Sequence, residues 1–378
     1  MAKRNSSIEL MRLVAMLMIV GAHFCTFALD VTKLPFTSYR MLLQATIYPM
    51  GKIGVVMFFA ISAWFITEKG GIRATLRRVW LLEREVLFWS VALAASSLII
   101  VPQSIGGKTV LASFFPLISG LWWYPTAYAI FLVLGPFAAE GLKLLGRGKH
   151  AALAITMFIV WTLLHGFWPI DGMSLGGSNY AMFLYLYVLI TYYRWYMQPM
   201  SRRVAWTLTA IGFGIIALWQ VLFSAFSWKT GKLSWMADFL SFSESKIAVL
   251  AAGFGLFALF SSRDFSNRFI NTLASAAFGV YLITEYPVVR TLLWGKVSGI
   301  RTYVASPLFV IYSLAIVFAV FVVALVISLL RYALFFVTID RHRGAWFDAL
   351  WNRCSQSRII GKVQKWLLSE PSVPSQAD

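Results

Sequence analysis

Four ionisable side chains fall inside stretches that are otherwise apolar: Glu9, Arg12, His23 and Glu285. A charge in such a setting is costly, so each is a candidate for function. Arginine binds phosphate through its charge and its forked hydrogen bonds. Histidine is the usual base for a hydroxyl nucleophile near neutral pH. Arg12 and His23 lie eleven positions apart, which at about 100° per residue leaves an offset of about 20° on a helix. They share one helix face, separated by a rise of about 16 Å, and the shared face favours a common cavity. Glu9, one turn before Arg12, is placed to neutralise or orient it. Structural readings stand beside these: Arg12 as a snorkelling anchor, His23 as a hydrogen-bonded ring between helices, and Glu285 as a carboxylate paired with Arg290.

These residues must be held by a membrane bundle. The chain of 378 residues is 60% hydrophobic and 13% charged, against roughly 45–50% and about 25% in soluble globular proteins. A water-soluble, disordered or disulfide-stapled protein is excluded. A membrane-spanning helix needs about 20 mostly apolar residues, and ten runs qualify: 8–28, 49–67, 85–102, 118–139, 151–169, 180–198, 204–227, 244–261, 271–294 and 304–332. The fold expected is all-α, a polytopic bundle of about ten transmembrane helices with both ends cytoplasmic. Residues 1–332 form the membrane domain, and 333–378 a basic cytoplasmic tail that is partly disordered.

Loop charges agree with this topology. Counted with the N-terminus inside, the inner segments hold 22 Lys and Arg against 10 outside, the bias expected of cytoplasmic loops. The net charge of +18 is therefore ascribed to topology and not to nucleic acid, which is not an expected partner. Glu9, Arg12 and His23 interrupt the first apolar run, so it reads as a retained span and not as a cleaved signal.

The remaining chemistry-bearing residues are fewer. The second inner segment carries Arg73, Arg77, Arg78 and Arg84. Glu285 lies about as deep in the ninth run as His23 does in the first, so it could orient or charge-balance that ring. Trp122, Trp123, Tyr124 and Tyr128, with Tyr185, Tyr187, Tyr192 and Tyr193, suit either sugar stacking or packing. His150 and His342 sit among basic residues and read as solvated surface, while His165 is a secondary candidate for acceptor contact. Asp171-Gly172 and Gly176-Gly177-Ser178 form an outer loop without Lys or Arg, compatible with a neutral acceptor. Cys25 and Cys354 fall on opposite sides of the membrane and form no pair. No metal-spaced cluster or nucleotide-binding glycine loop is found, so no metal is expected.

Residue identity then narrows the class. The segment Arg4-Asn5-Ser6-Ser7-Ile8-Glu9-Leu10-Met11-Arg12, continuing to His23, resembles the opening helix of the membrane-bound acyltransferase family 3. Gly51-Lys52-Ile53-Gly54-Val55-Val56-Met57-Phe58-Phe59-Ala60-Ile61-Ser62 is similar to that family's second helix. Leu121-Trp122-Trp123-Tyr124 with Tyr128 and Pro136 resembles its fourth-helix region, and Gly279-Val280-Tyr281-Leu282-Ile283 a late segment. The sequence departs from the family at Ser62-Ala63-Trp64, where Ser-Gly is usual. It departs also in the spacing of its inner arginines and at Thr284-Glu285, where many relatives carry His.

The resemblance implies a membrane O-acyltransferase, with acyl-CoA (acetyl-CoA in the first instance) as donor substrate. The acceptor it implies is a sugar hydroxyl of a cell-surface polysaccharide or its lipid-linked precursor, reached at the plasma membrane. Arg12, Arg77, Arg78 and Arg84 would then hold the CoA phosphates at the cytoplasmic rim. His23, supported by Glu285, would deprotonate the hydroxyl or itself carry the acyl group. The rival class is a transporter of lipid-linked sugars, which would share the buried charges and aromatic faces. A non-catalytic scaffold is a third. Membrane lipids are the other expected partners, and oligomeric state is not readable.

Overall fold

In the computed structural model, residues 4–34, 36–66, 72–167, 179–342 and 344–357 are described. The outer loop with Asp171 and Gly176–Ser178, the side chain of His342 and the chain beyond residue 357 lie outside them. Among the described residues the chain is all-helical, without strands. Each of the ten apolar stretches is helical over most of its described residues. Among the described residues, five helices are long and apolar enough to cross a membrane, or six when one pair bent by 74° is taken as a single span.

The first helix, α1 (Ser6–His23), begins where the Asn5 side chain accepts a hydrogen bond from the Ser7 amide at 2.8 Å. Its start is tied to distant elements, because Ser7 Oγ donates to the Phe260 carbonyl and Ser6 Oγ to Asn271 Oδ1. After His23 the helix widens into a π-turn, Phe24–Leu29, which Asp30 ends in the left-handed region at φ 52°. Such π-turns often mark functional sites.

Two short steps follow, α2 (Ser38–Thr46) and α3 (Met50–Ile66). α3 lies against α1 because its glycines remove the side chains that would hold the two apart. A Cβ on Gly54 would sit 2.8 Å from the Ala15 carbonyl oxygen, and one on Gly51 would sit 2.6 Å from Ala22 Cβ. At the far end of α3, Ala63 is fully buried.

α4 (Ile72–Ile100) and α5 (Gly107–Phe114) lead to α6 (Trp123–Met157), which contains a reversal. Gly146 has φ 67° and ψ 175°, outside any helix, a conformation open to glycine. Both arms of α6 lie along α7 (Tyr180–Tyr196). Phe131 on the first arm meets Tyr187, while His150 on the second meets Val188, Tyr192 and Tyr196. Further on, Trp161 meets Tyr185, so the second arm runs back beside the first. Residues 123–145 and 147–164 are thus two antiparallel rods joined at Gly146.

This reversal corrects the expectation for His150, which is not solvated. Its side chain is fully buried, with Nε2 3.1 Å from the Val188 carbonyl oxygen and Tyr192, Trp195 and Tyr196 around the ring.

The remaining elements are α8 (Arg202–Thr230), α9 (Ile247–Ser261), α10 (Arg268–Ser275), α11 (Ala277–Thr284), α12 (Pro287–Leu292) and α13 (Phe309–Val337). A last helix, α14 (Ala345–Ser355), turns back onto α4. There Asp348 Oδ1 lies 2.9 Å from Arg73 Nη2, and Asp340 pairs with Arg84.

Gly54→Val forces α1 and α3 apart against backbone, an overpacking that costs about 1–3 kcal/mol. A lowered melting temperature of the purified protein, relative to Gly141→Val at an unobstructed site, is the expected result.

Candidate active site

Glu285 owes its position to a proline. Pro287 has no N–H to donate and disfavours helical backbone in the residue before it. Tyr286 accordingly sits at φ −61°, ψ 130°, and α11 stops with Glu285 as its C-cap. The helical path bends by 74° across this break. The break turns the Glu285 carboxylate toward the end of α1.

There Glu285 Oε1 lies 3.0 Å from His23 Nδ1, and Glu285 Oε2 lies 3.5 Å from Arg290 Nη1. The two sequence readings of Glu285, partner of His23 or partner of Arg290, are therefore both realised, one oxygen each. The carboxylate is 7% exposed and the imidazole 22%. The His23–Glu285 approach is close but outside hydrogen-bond geometry, as catalytic pairs often are before substrate binds. Arg290 is held in turn over the Phe27 ring, 4.6 Å from its centroid, and Phe27 also flanks His23. With Nδ1 facing the carboxylate, Nε2 is the ring nitrogen on the opposite edge.

His23 opens onto a cavity of about 190 Å³, mostly apolar, whose polar lining includes Thr26, Tyr48, Lys52, Tyr124, Ser241 and Tyr281. Lys52 Nζ lies 3.1 Å from Glu244 Oε1. A second cavity, of about 380 Å³, opens at the end of the bundle where both terminal segments meet. Arg4, Arg12, Arg84 and Arg331 line it, against the carboxylates of Glu85 and Asp340. Phe58, Tyr124 and Phe278 line both cavities. Their ring centroids are 5.7 to 6.5 Å apart, the spacing of rings in contact.

Arg12 and His23 thus face two chambers separated by aromatic rings, and not the single cavity expected from their shared helix face. The expected pair of Glu9 with Arg12 is present at 2.6 Å. Arg84 lines the larger chamber. Arg77 turns instead to Asp348, at 3.5 Å, and Arg78, half-buried, lines neither chamber.

His165 lies near Lys246 and lines neither chamber. Of the aromatic residues, Trp123 and Tyr124 line the histidine chamber and Tyr128 the arginine chamber. Tyr185 and Tyr187 are buried packing residues, the former 2.6 Å from Thr162 Oγ1. Cys25 is buried and Cys354 exposed, both as free thiols.

Arg4, Arg331, Phe58 and Phe278 were not singled out from sequence. Arg4 and Arg331 read as loop charge, and Phe58 and Phe278 are apolar residues in apolar runs. Arg331 meets Glu85 at 3.3 Å, a pairing between distant helices that no local spacing reveals.

A comparison with protein families matches residues 5–331 to the model described as an acyltransferase domain, that of acyltransferase family 3. No curated protein and no solved structure matches the chain.

Because Glu285 faces both His23 and Arg290, two variants separate its roles. Glu285→Gln is expected to lower turnover per folded molecule about tenfold, less than the roughly 100-fold or more lost with the acid–base group itself. Arg290→Met is expected to lower the melting temperature while keeping most of the turnover. Rate and thermal melt measured on the same preparations check both.

Proposed function

Since the chain belongs to acyltransferase family 3, we propose that this multi-pass membrane acyltransferase takes an acetyl group from cytosolic acyl-CoA. The acceptor is a sugar hydroxyl of a cell-surface polysaccharide or of its lipid-linked precursor. The observation that carries this reading is the pair of chambers meeting at three shared rings, one lined by arginines and the other by His23. In the proposed topology all ten helical stretches cross the plasma membrane and both ends are cytoplasmic, in keeping with the positive-inside bias. The arginine chamber then faces the cytosol and the histidine chamber the outer side.

Each chamber suits one substrate. The four arginines offer charge and forked donors to the CoA phosphates. The histidine chamber is mostly apolar with a few convergent polar groups, the usual character of a small-molecule site. Within it, the carboxylate beside Nδ1 favours a proton on that nitrogen, so that Nε2 is free to accept one from the acceptor hydroxyl. The imidazolium that results is charge-balanced by Glu285. The same nitrogen could instead take the acyl group and pass it on. In both routes the thioester must reach past the shared rings, which in this structure are in contact.

Mass spectrometry of surface glycans from cells with and without the protein tests the function. Loss of O-acyl groups at unchanged glycan amount is expected. Unchanged acylation, or a fall in the amount of exported glycan alone, overturns the reading in favour of transport.

Donor binding has its own test. Arg12→Ala and Arg84→Ala are each expected to weaken acyl-CoA binding by the detergent-purified protein about tenfold. The deficit should shrink as salt rises, because partly exposed charge pairs are screened. Arg77→Ala, whose side chain faces Asp348, should bind nearly as the wild type. Titration at low and high ionic strength distinguishes the three.

A further inference from the structure

The wall between the two chambers contains a hydroxyl with nothing to bond. Tyr124 is 5% exposed, and among the described residues its hydroxyl has no hydrogen-bond partner. Its side chain lines both chambers. The ring is held from several sides: Phe183 lies at 5.2 Å, Phe58 at 5.7 Å and Tyr128 at 6.0 Å between centroids. Burying an O–H without a partner costs stability, because it surrenders bonds to water and gains none. A phenylalanine would fill the same space without that cost. Folding alone therefore does not account for the hydroxyl.

Its place relative to His23 suggests what does. The Tyr281 ring lies 6.3 Å from the His23 ring and 6.3 Å from the Tyr124 ring, so the two residues flank one side chain. Of the three tyrosines that line the histidine chamber, Tyr48, Tyr124 and Tyr281, only Tyr124 has a hydroxyl that is buried without a hydrogen-bond partner among the described residues. An acyl thioester brought from the arginine chamber toward His23 presents a carbonyl oxygen at this wall. Preorganised donors aimed at an oxygen that gains charge in the transition state rank among the largest catalytic contributions.

We infer that the Tyr124 hydroxyl donates a hydrogen bond to the carbonyl oxygen of the acyl thioester and holds the negative charge that develops there. The inference rests on the acyl-CoA reading above and adds a catalytic residue to it. In the direct route, His23 Nε2 removes the proton of the acceptor hydroxyl, and that oxygen forms a bond to the thioester carbonyl carbon. The carbonyl π pair moves onto the oxygen, where the Tyr124 O–H bonds to it. When the pair returns, the C–S bond breaks, and the leaving CoA sulfur takes the proton from His23. The products are an ester and free CoA thiol, and Tyr124 keeps its own proton. Attack by His23 Nε2 itself would place the same charge on the same oxygen.

The test compares the wild type with Tyr124→Phe and Tyr187→Phe. Tyr187 is also fully buried with an unpartnered hydroxyl, but it lines neither chamber. Radiolabel passing from acetyl-CoA into the glycan fraction of membranes gives the rate per folded enzyme, and thermal melts give stability. Tyr124→Phe is expected to melt no lower than the wild type. Its rate at saturating acetyl-CoA should fall about 100-fold, the usual loss on removing one such donor, with KM for acetyl-CoA changed no more than about threefold. Tyr187→Phe should melt no lower and keep the wild-type rate. The inference is overturned by a Tyr124→Phe rate within about threefold of wild type. It is overturned equally by a loss that appears only in KM, or by one that tracks a fall in melting temperature. Absence of transfer by the wild type from acetyl-CoA and from longer acyl-CoAs overturns the donor reading itself, and is recognised before any variant is made.

Discussion

A carboxylate in an apolar bundle must be paired, and the Glu285 carboxylate is paired on both sides. One oxygen faces His23 and the other Arg290. This arrangement exists because the helical path breaks at Tyr286–Pro287. A continuous helix would carry Glu285 on a regular face and leave α12 in line with α11. The break lets one carboxylate join the end of α1 to the start of α12. The site therefore depends on a backbone defect that a single proline imposes. Removing one partner of such a buried set leaves an uncompensated charge, which is more damaging than never having had the pair.

The second constraint is the aromatic wall. Phe58, Tyr124 and Phe278 come from three different helices and meet between Arg12 and His23. They separate the chamber lined by Arg4, Arg12, Arg84 and Arg331 from the chamber onto which His23 opens. The terminal segment completes the arginine side. α14 and the turn before it bring Asp340 and Asp348 to Arg84, Arg73 and Arg77. Part of the basic charge of α4 is therefore balanced internally.

Much of this was legible in the sequence, and the reasons are physical. Long apolar runs become helices because backbone groups in lipid must bond within their own segment, and every run identified is helical over most of its described residues. Glu9, Arg12, His23 and Glu285 stood out because charge in an apolar run is costly. The rest depended on packing between distant segments. The shared face of Arg12 and His23 was correctly derived, but rings from other helices divide the space before it. Arg77 and Arg84 were equivalent by composition, yet Asp340 and Asp348 draw them to different partners. His150 followed basic residues and read as solvated, until the reversal at Gly146 laid it against α7. Glycine conformation and tertiary pairing carry no period that a single sequence displays.

The central claim is that the ring of His23, which opens onto the chamber beyond the shared rings, performs the transfer. His23→Ala tests it most directly, with acyl transfer measured per correctly inserted molecule alongside acyl-CoA binding by the same preparation. The account predicts that binding persists, because the arginine chamber is intact, while transfer falls at least about 100-fold, as expected on loss of an acid–base group. Transfer near the wild-type rate by a folded, donor-binding His23→Ala protein would contradict it.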